Sequence, residues 1–260
     1  MTTALVTGAS SGIGEEFARQ LAAGGSNLVV VARDKVRLDL LAADLRRRYG
    51  VRVEVIAADL REPAEVEAVE RRLTSTVAPV DLLVGNAGYA DDGGFRDLEL
   101  DDALGQVELH VSATLRLTHT AVRAMADRAG GGIITVASTG VFAPVPGRAV
   151  STATKAFVVS LSESLHREVR AYGVTVTCVC PGYTRTEPPR RAGVARTHVP
   201  RAMWQTPSQV VRAALDGHAR GRAVVVPGLL NRVLVLAARF APRGLGAAVA
   251  ARVVAPGRRH

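Results

Sequence analysis

Two cysteines, one tryptophan and an aromatic content of only 4% leave this chain few of the common structural anchors. Cys178 and Cys180 stand two apart in an apolar run. They would point to one face of a strand but are badly placed to bridge each other, so a reducing, cytoplasmic setting is expected. With so few rings, the core has to be packed mainly from Val, Leu, Ile and Ala. No secretory pattern opens the sequence, since Met1-Thr2-Thr3 runs straight into a strand-like ALVTG. The uncharged stretch between Arg232 and Arg239 is far below the roughly 20 residues of a membrane span. In the apolar stretch Leu229–Val254 the charges at Arg232, Arg239, Arg243 and Arg252 come too often. His119, His166, His198, His218 and His260 show no metal-ligand spacing, so no metal site is expected.

What is present fits one α/β domain with a sizeable core: 260 residues, 48% hydrophobic and 22% charged. The net charge of +9 is uneven. Residues 1–182 carry 19 Lys and Arg against 22 Asp and Glu, while residues 183–260 carry 14 against 2. No aromatic residues interleave with these arginines and no nucleic-acid motif appears, so nucleic acid is not the expected partner. An anionic substrate, an acidic carrier, a membrane surface and a merely solvated basic face all remain open.

Short apolar runs alternate with helix-length stretches. Ala4–Val6, Asn27–Ala32, Arg52–Ala57, Asp81–Val84, Gly132–Ala137, Val174–Val179 and Ala223–Val226 read as strands, several of them apolar on both faces, as buried parallel strands are. Helices are expected at Ile13–Ala23, Lys35–Tyr49, Ala64–Thr76, Leu100–Ala129, Ala149–Ala171 and Pro207–Ala219. Strict alternation predicts a single-domain, doubly wound parallel sheet of Rossmann-like type with helices on both faces. Residues 1–228 form that dinucleotide-binding domain, including an Arg- and Pro-rich substrate loop at 183–206. Residues 229–260 form a helical extension, expected as two short helices broken near Pro242–Gly244, which covers the core, meets another subunit or lies on a membrane.

The first strand ends in Thr7-Gly8-Ala9-Ser10-Ser11-Gly12-Ile13-Gly14 and leads into a helix. Glycines there permit a tight turn and close backbone approach, and the helix start offers unpaired N–H groups to a pyrophosphate. Arg33 follows the second strand, where a basic side chain meets a ribose 2′-phosphate and an acidic one a 2′-hydroxyl; Asp34 is its neighbour.

TGASSGIG resembles the TGxxxGxG signature of the short-chain dehydrogenase/reductase family. Asn86-Ala87-Gly88 resembles the family's NNAG motif, with Gly85 in place of its first Asn. Asp59-Leu60 matches the adenine-contacting position, Pro181-Gly182 the turn beside the nicotinamide, and Thr184 the usual carboxamide contact. The resemblance spans residues 4 to 186. It implies a cofactor site of Gly8, Ser10, Ser11, Gly12, Ile13, Gly14, Arg33, Asp59, Leu60, Asn86, Ala87, Gly88, Lys155, Pro181, Gly182 and Thr184. ARD at 32–34 resembles NADP-preferring members, so NADP(H) is the expected cofactor. Homodimers or homotetramers built on the long helices are common in the family.

One position departs from the family pattern. A Ser after the fifth strand and, thirteen residues on, Tyr-x-x-x-Lys carry the family's chemistry. Here Ser138 is followed by Ser151-Thr152-Ala153-Thr154-Lys155. Ser151 and Lys155 share a helix face. A phenol of pKa about 10, lowered by a nearby ammonium, suits protonation of the alkoxide that hydride delivery creates. A serine hydroxyl is less acidic and shorter in reach. His110 falls where the family places an Asn beside the catalytic Lys, and with an ordinary pKa near 6.5 it is a candidate acid or base. Tyr89 and Tyr183 are alternative sources of a phenol. The catalytic set is therefore Ser138, Ser151, Lys155 and His110. Three readings stay open: a reductase or dehydrogenase with an altered acid, a non-redox enzyme (cyclase, lyase or isomerase) reusing the pocket, and a cofactor-sensing protein without turnover.

Overall fold

A computed structural model describes residues 2–89, 94–143, 146–186 and 203–240, with side chains to Ala238. Its strands are β1 (Thr3–Thr7), β2 (Asn27–Ala32), β3 (Val53–Ala57), β4 (Leu82–Gly85), β5 (Gly131–Val136), β6 (Val174–Val179) and β7 (Val224–Val225). All pair in parallel, in the order β3-β2-β1-β4-β5-β6-β7. This is the Rossmann-like sheet expected from the alternation, and each strand lies where a Val- or Ile-rich run predicts it.

The helices are α1 (Gly12–Ala23), α2 (Lys35–Tyr49), α3 (Pro63–Leu73), α4 (Leu100–Val107), α5 (Thr114–Ala126), α6 (Ala149–Glu168), α7 (Pro207–Ala219) and α8 (Leu229–Phe240). On one face of the sheet Phe17 of α1, Leu38 and Leu45 of α2 and Val210 of α7 pack on Val6, Val30 and Ile134. On the other, Val66 and Val69 of α3 and Leu117 and Met125 of α5 pack on Leu5, Val29 and Ile133. Burying both faces explains why the central strands carry no polar alternation. Caps fix several entries: Asp34 accepts from the Arg37 N–H at the start of α2, and Thr206 with Gln209 forms a reciprocal capping box on α7, whose first residue is Pro207.

One expectation is corrected. The helix expected over Leu100–Ala129 is not continuous: Glu108–Ala113 is a π-helical turn between α4 and α5, and the helix ends at Ala126. The wider turn places His110 inward, fully buried. Of the C-terminal extension, α8 is present, and among its described side chains only Asn231 and Val235 are buried. The second C-terminal helix and most of the 183–206 loop, with Arg190, Arg191, Arg196 and Arg201, lie outside the described residues.

Candidate active site

The strand order reverses between β1 and β4, and the segments leaving the C-terminal ends of β1, β4, β5 and β6 meet there, the place where doubly wound sheets bind ligands. Gly8 and Gly12 both take left-handed backbone, with φ of +67° and +60°. A Cβ on Gly14 would run into the Gly8 carbonyl and the Asn86 amide. The turn is therefore closed to side chains and can bring backbone against a ligand. Ser11 caps α1 in an extended conformation without a side-chain bond, which leaves the first-turn N–H groups facing outward. Ser10 is partly buried, and Ile13 packs on the core beneath.

Thr7 holds this turn to the neighbouring strand. Its hydroxyl oxygen accepts from the N–H groups of Asn86 and Ala87, both at 3.0 Å, and donates to the Val84 carbonyl. Asn86 returns the bond, donating Nδ2–H to the Thr7 carbonyl at 3.0 Å. Asn86 is thus structural cement for the turn, and Gly88, two residues on, lies against Lys155 and His110.

At the other end of the groove the Arg33 side chain is 62% exposed, with Nη1 3.7 Å from Asp59 Oδ2. Asp34 is already used as the α2 cap, so the acidic neighbour does not compete for a ribose. Asp59 is gripped by Arg61, whose Nη2 lies 2.6 Å from Oδ2. Burial would raise its carboxyl, but Arg61 and the charge of Arg33 hold it below the ordinary value. The Leu60 side chain is buried with Val66 and Val69, so only its backbone can face a ligand.

The reacting end gathers residues from four segments. Lys155, one of only two lysines in an arginine-rich chain, donates from Nζ to the Val136 carbonyl at 2.8 Å. Burial pulls its ammonium down to about 8, against a smaller opposing effect of Cys178 and Cys180, which are buried free thiols. Ser138, at the end of β5, accepts from the Gly140 N–H at 3.1 Å through Oγ, which leaves its O–H to donate elsewhere. Ser151 is partly exposed one turn before Lys155; its carbonyl accepts from the Thr154 hydroxyl. No side-chain hydrogen bond commits its own hydroxyl among the described residues.

His110 does not fit the role of acid. Nε2 accepts from the Tyr89 N–H at 3.2 Å, so the ring proton sits on Nδ1, which donates to the Thr154 hydroxyl at 2.9 Å. Burial, with the Lys155 charge behind it, lowers the imidazole to about 3. It is neutral at every physiological pH, and both nitrogens are occupied. The chain Tyr89 N–H, His110, Thr154, Ser151 carbonyl locks the π-turn to the first turn of α6. Tyr89 is excluded as a phenol source for a different reason: its hydroxyl reaches the Asp102 carbonyl at 3.4 Å, beside Gly105 and Arg61 on the α4 side. Tyr183 packs against Trp204 with the rings tilted by 44° and centroids 5.6 Å apart, at the base of the 183–206 loop.

Pro181 and Gly182 leave β6 as a tight turn. The Pro181 carbonyl accepts from the Thr139 N–H, the Gly182 carbonyl from the Thr184 hydroxyl. Thr184 pairs with Gln205 as a short parallel bridge, closing the base of the loop, and Thr186 passes over Gly12. Asn231 of α8 donates to Gln205 Oε1 and to the Pro227 carbonyl, both at 3.1 Å, and presses on Gly182. Thr7, Thr154, Gln205 and Asn231 are absent from the sequence-derived set. Thr7 lies inside the quoted glycine motif and was open to inference; the other three act across sequence distances with no local pattern. Among the described residues no three His, Cys, Asp or Glu side chains are grouped to hold a metal ion.

Residues 2–193 match the family model described as short chain dehydrogenase. The chain is 40% identical to a short-chain dehydrogenase from Sphingobium yanoikuyae solved in complex with NADPH, over 94% of this chain and 95% of that one, with a TM-score of 0.84. It is 35% identical to an alcohol dehydrogenase from Comamonas testosteroni described as specific for bulky-bulky ketones, over 94% and 93%, with a TM-score of 0.80. Among curated proteins it is 36% identical over 199 residues to oxidoreductase UcpA of Escherichia coli strain K12, spanning 76% of this chain and 74% of that protein.

Proposed function

The chain belongs to the short-chain dehydrogenase family, and from that premise we propose that it is an NADP(H)-dependent oxidoreductase acting on a carbonyl or alcohol, with a serine where the family's acid stands. The observation that carries this is Lys155 Nζ bonded to the Val136 carbonyl, two residues before Ser138, and set against Gly88, one helical turn after Ser151 and near a glycine turn closed to side chains. The residues fit a dinucleotide. The α1 amides and Gly8-to-Gly14 backbone would hold the pyrophosphate, Arg33 a 2′-phosphate, Asp59 and the Leu60 backbone the adenine end, and Lys155, Gly88, Pro181, Gly182 and Thr184 the nicotinamide end. Bound there, the cofactor supplies or takes up the hydride.

The protein's own part is to hold the carbonyl and manage one proton. Ser138 keeps its O–H free and donates it to the substrate oxygen, stabilising negative charge as it develops. The Lys155 ammonium, with one N–H spent on Val136, lowers the local cost of that charge with the others. The Ser151 hydroxyl relays the proton, giving its own to a closely held oxygen, directly or through a bound water, while taking one from the Lys155 ammonium or from solvent. Such a relay is weaker than a positioned phenol by about 10²–10⁴ in rate. His110 acts only by fixing Thr154 and the start of α6.

The neutral, fully bonded state of His110 removes the feature that favoured a non-redox use of the pocket. A subunit contact on α4 and α5, where Leu100, Leu104 and Leu115 are exposed, goes with this reading. The test is NADPH consumption with a panel of bulky ketones. Oxidation that disappears in Lys155→Met supports the proposal; tight NADPH binding without oxidation of any carbonyl would move the protein to cofactor sensing.

A further inference from the structure

We propose that the outer face of α8 is a docking surface for an anionic lipid bilayer. Asn231 and Val235, four apart, turn inward, with Asn231 tied to Gln205 and Pro227. The opposite side carries Leu229, Val233 and Leu236, at 76%, 55% and 59% exposure, flanked by the exposed Leu230 and Leu234. From Leu229 to Leu236 these side chains make an apolar stripe of about 11 Å, and nothing among the described residues covers it.

Charge selects the occupant. Arg232 is exposed on the flank of that stripe, its Nε donating to the Val226 carbonyl. From residue 217 to the end of the sequence there is no acidic side chain, while Arg232, Arg239, Arg243, Arg252, Arg258 and Arg259 fall in 229–260. A second copy of this face would bring Arg232 against its own counterpart with no carboxylate on α8 to pair, and like charges in a desolvated contact are costly. A bilayer with anionic headgroups meets both features at once, the aliphatic side chains entering the acyl boundary and Arg232 staying at the phosphates. No helix among the described residues is long and apolar enough to cross a membrane, so the contact is peripheral. Arginine at the interface can also bury its aliphatic stem while keeping the guanidinium wet.

The inference stands on α8 alone and does not depend on the redox reading. The experiment is flotation of the full chain with phosphatidylcholine vesicles, with and without phosphatidylglycerol, at low and high salt. Expected is flotation with the anionic vesicles only, weakened by salt, and reduced at least about tenfold in Leu236→Glu and in Val233→Glu. Retained NADPH binding shows that each variant is folded; should either misfold, Arg232→Gln is expected to weaken anionic binding several-fold. No flotation, or flotation indifferent to all three substitutions, overturns the proposal. So does a wild-type oligomer, measured by sedimentation without lipid, that Leu236→Glu dissociates, because the face would then belong to a second copy.

Discussion

The two ends of the candidate site are built in different ways. At the dinucleotide turn, Gly8, Gly14, Thr7 and Asn86 form a closed set of backbone contacts and hydrogen bonds at the ends of two neighbouring strands. At the reacting end, Ser138, Ser151, Lys155 and His110 come from β5, α6 and a π-turn, and two of the hydroxyls are uncommitted. The first end is determined by shape, where one added atom is too many. The second is determined by chemistry, where a residue can change while the frame around it stays. Binding can thus be retained while the reaction is altered.

Substitutions should divide along that line. Gly14→Val, aimed at the turn, is expected to abolish NADPH binding in a fluorescence titration, because its side chain must displace Gly8 backbone and the Asn86 amide. Lys155→Met, aimed at the reacting end, is expected to cut kcat by about 10²–10⁴. The same change should stabilise the apoprotein at pH 7. The lysine is held down near 8, below its unfolded value, so its charge costs stability at pH below 8, and that cost is regained as pH rises from about 8 towards 10.4. A gain of about 3 kcal/mol by urea unfolding is expected, and it should vanish above pH 10. If Lys155→Met is destabilising at pH 7, the buried-ammonium account fails.

Arg33→Asp should weaken NADPH by about 10- to 100-fold and leave NADH unchanged or improved, measured as the ratio of their Kd values. Equal loss for both would show that Arg33 supports the fold and not the phosphate. The smallest effect concerns His110. Its folded value near 3 lies below the unfolded 6.5, so the stability it contributes is present above pH 6.5 and drains away as pH falls towards 3. His110→Asn should flatten that part of the stability profile while moving kcat at pH 7 by less than about tenfold. A kcat profile with a His-like inflection near 6.5, lost in the variant, would restore His110 as an acid.

Much of this was legible beforehand. The strands announce themselves as Val and Ile runs bounded by polar residues, and the glycine turn by its place between a strand and a helix. The π-turn was not, because its side-chain spacing differs little from that of the α-helix around it. Nor was the state of His110. Its position pointed to the site, but its protonation depends on Tyr89 and Thr154, which no local pattern links to it. The Asn231–Gln205 bond joins α8 to the loop base through tertiary packing alone. The exposed side of α8 was visible as apolar sequence, but which residues face outward required the fold.

The most direct test of the central claim is the steady-state rate of NADPH oxidation on bulky ketones for the wild type and Ser151→Tyr, measured side by side. The account predicts slow turnover by the wild type and a rise of about 10²–10⁴ in the variant, with NADPH affinity little changed. A wild type that already turns over quickly and loses activity when the tyrosine is introduced would contradict it, and would make Ser151 a specific partner of a substrate the phenol displaces.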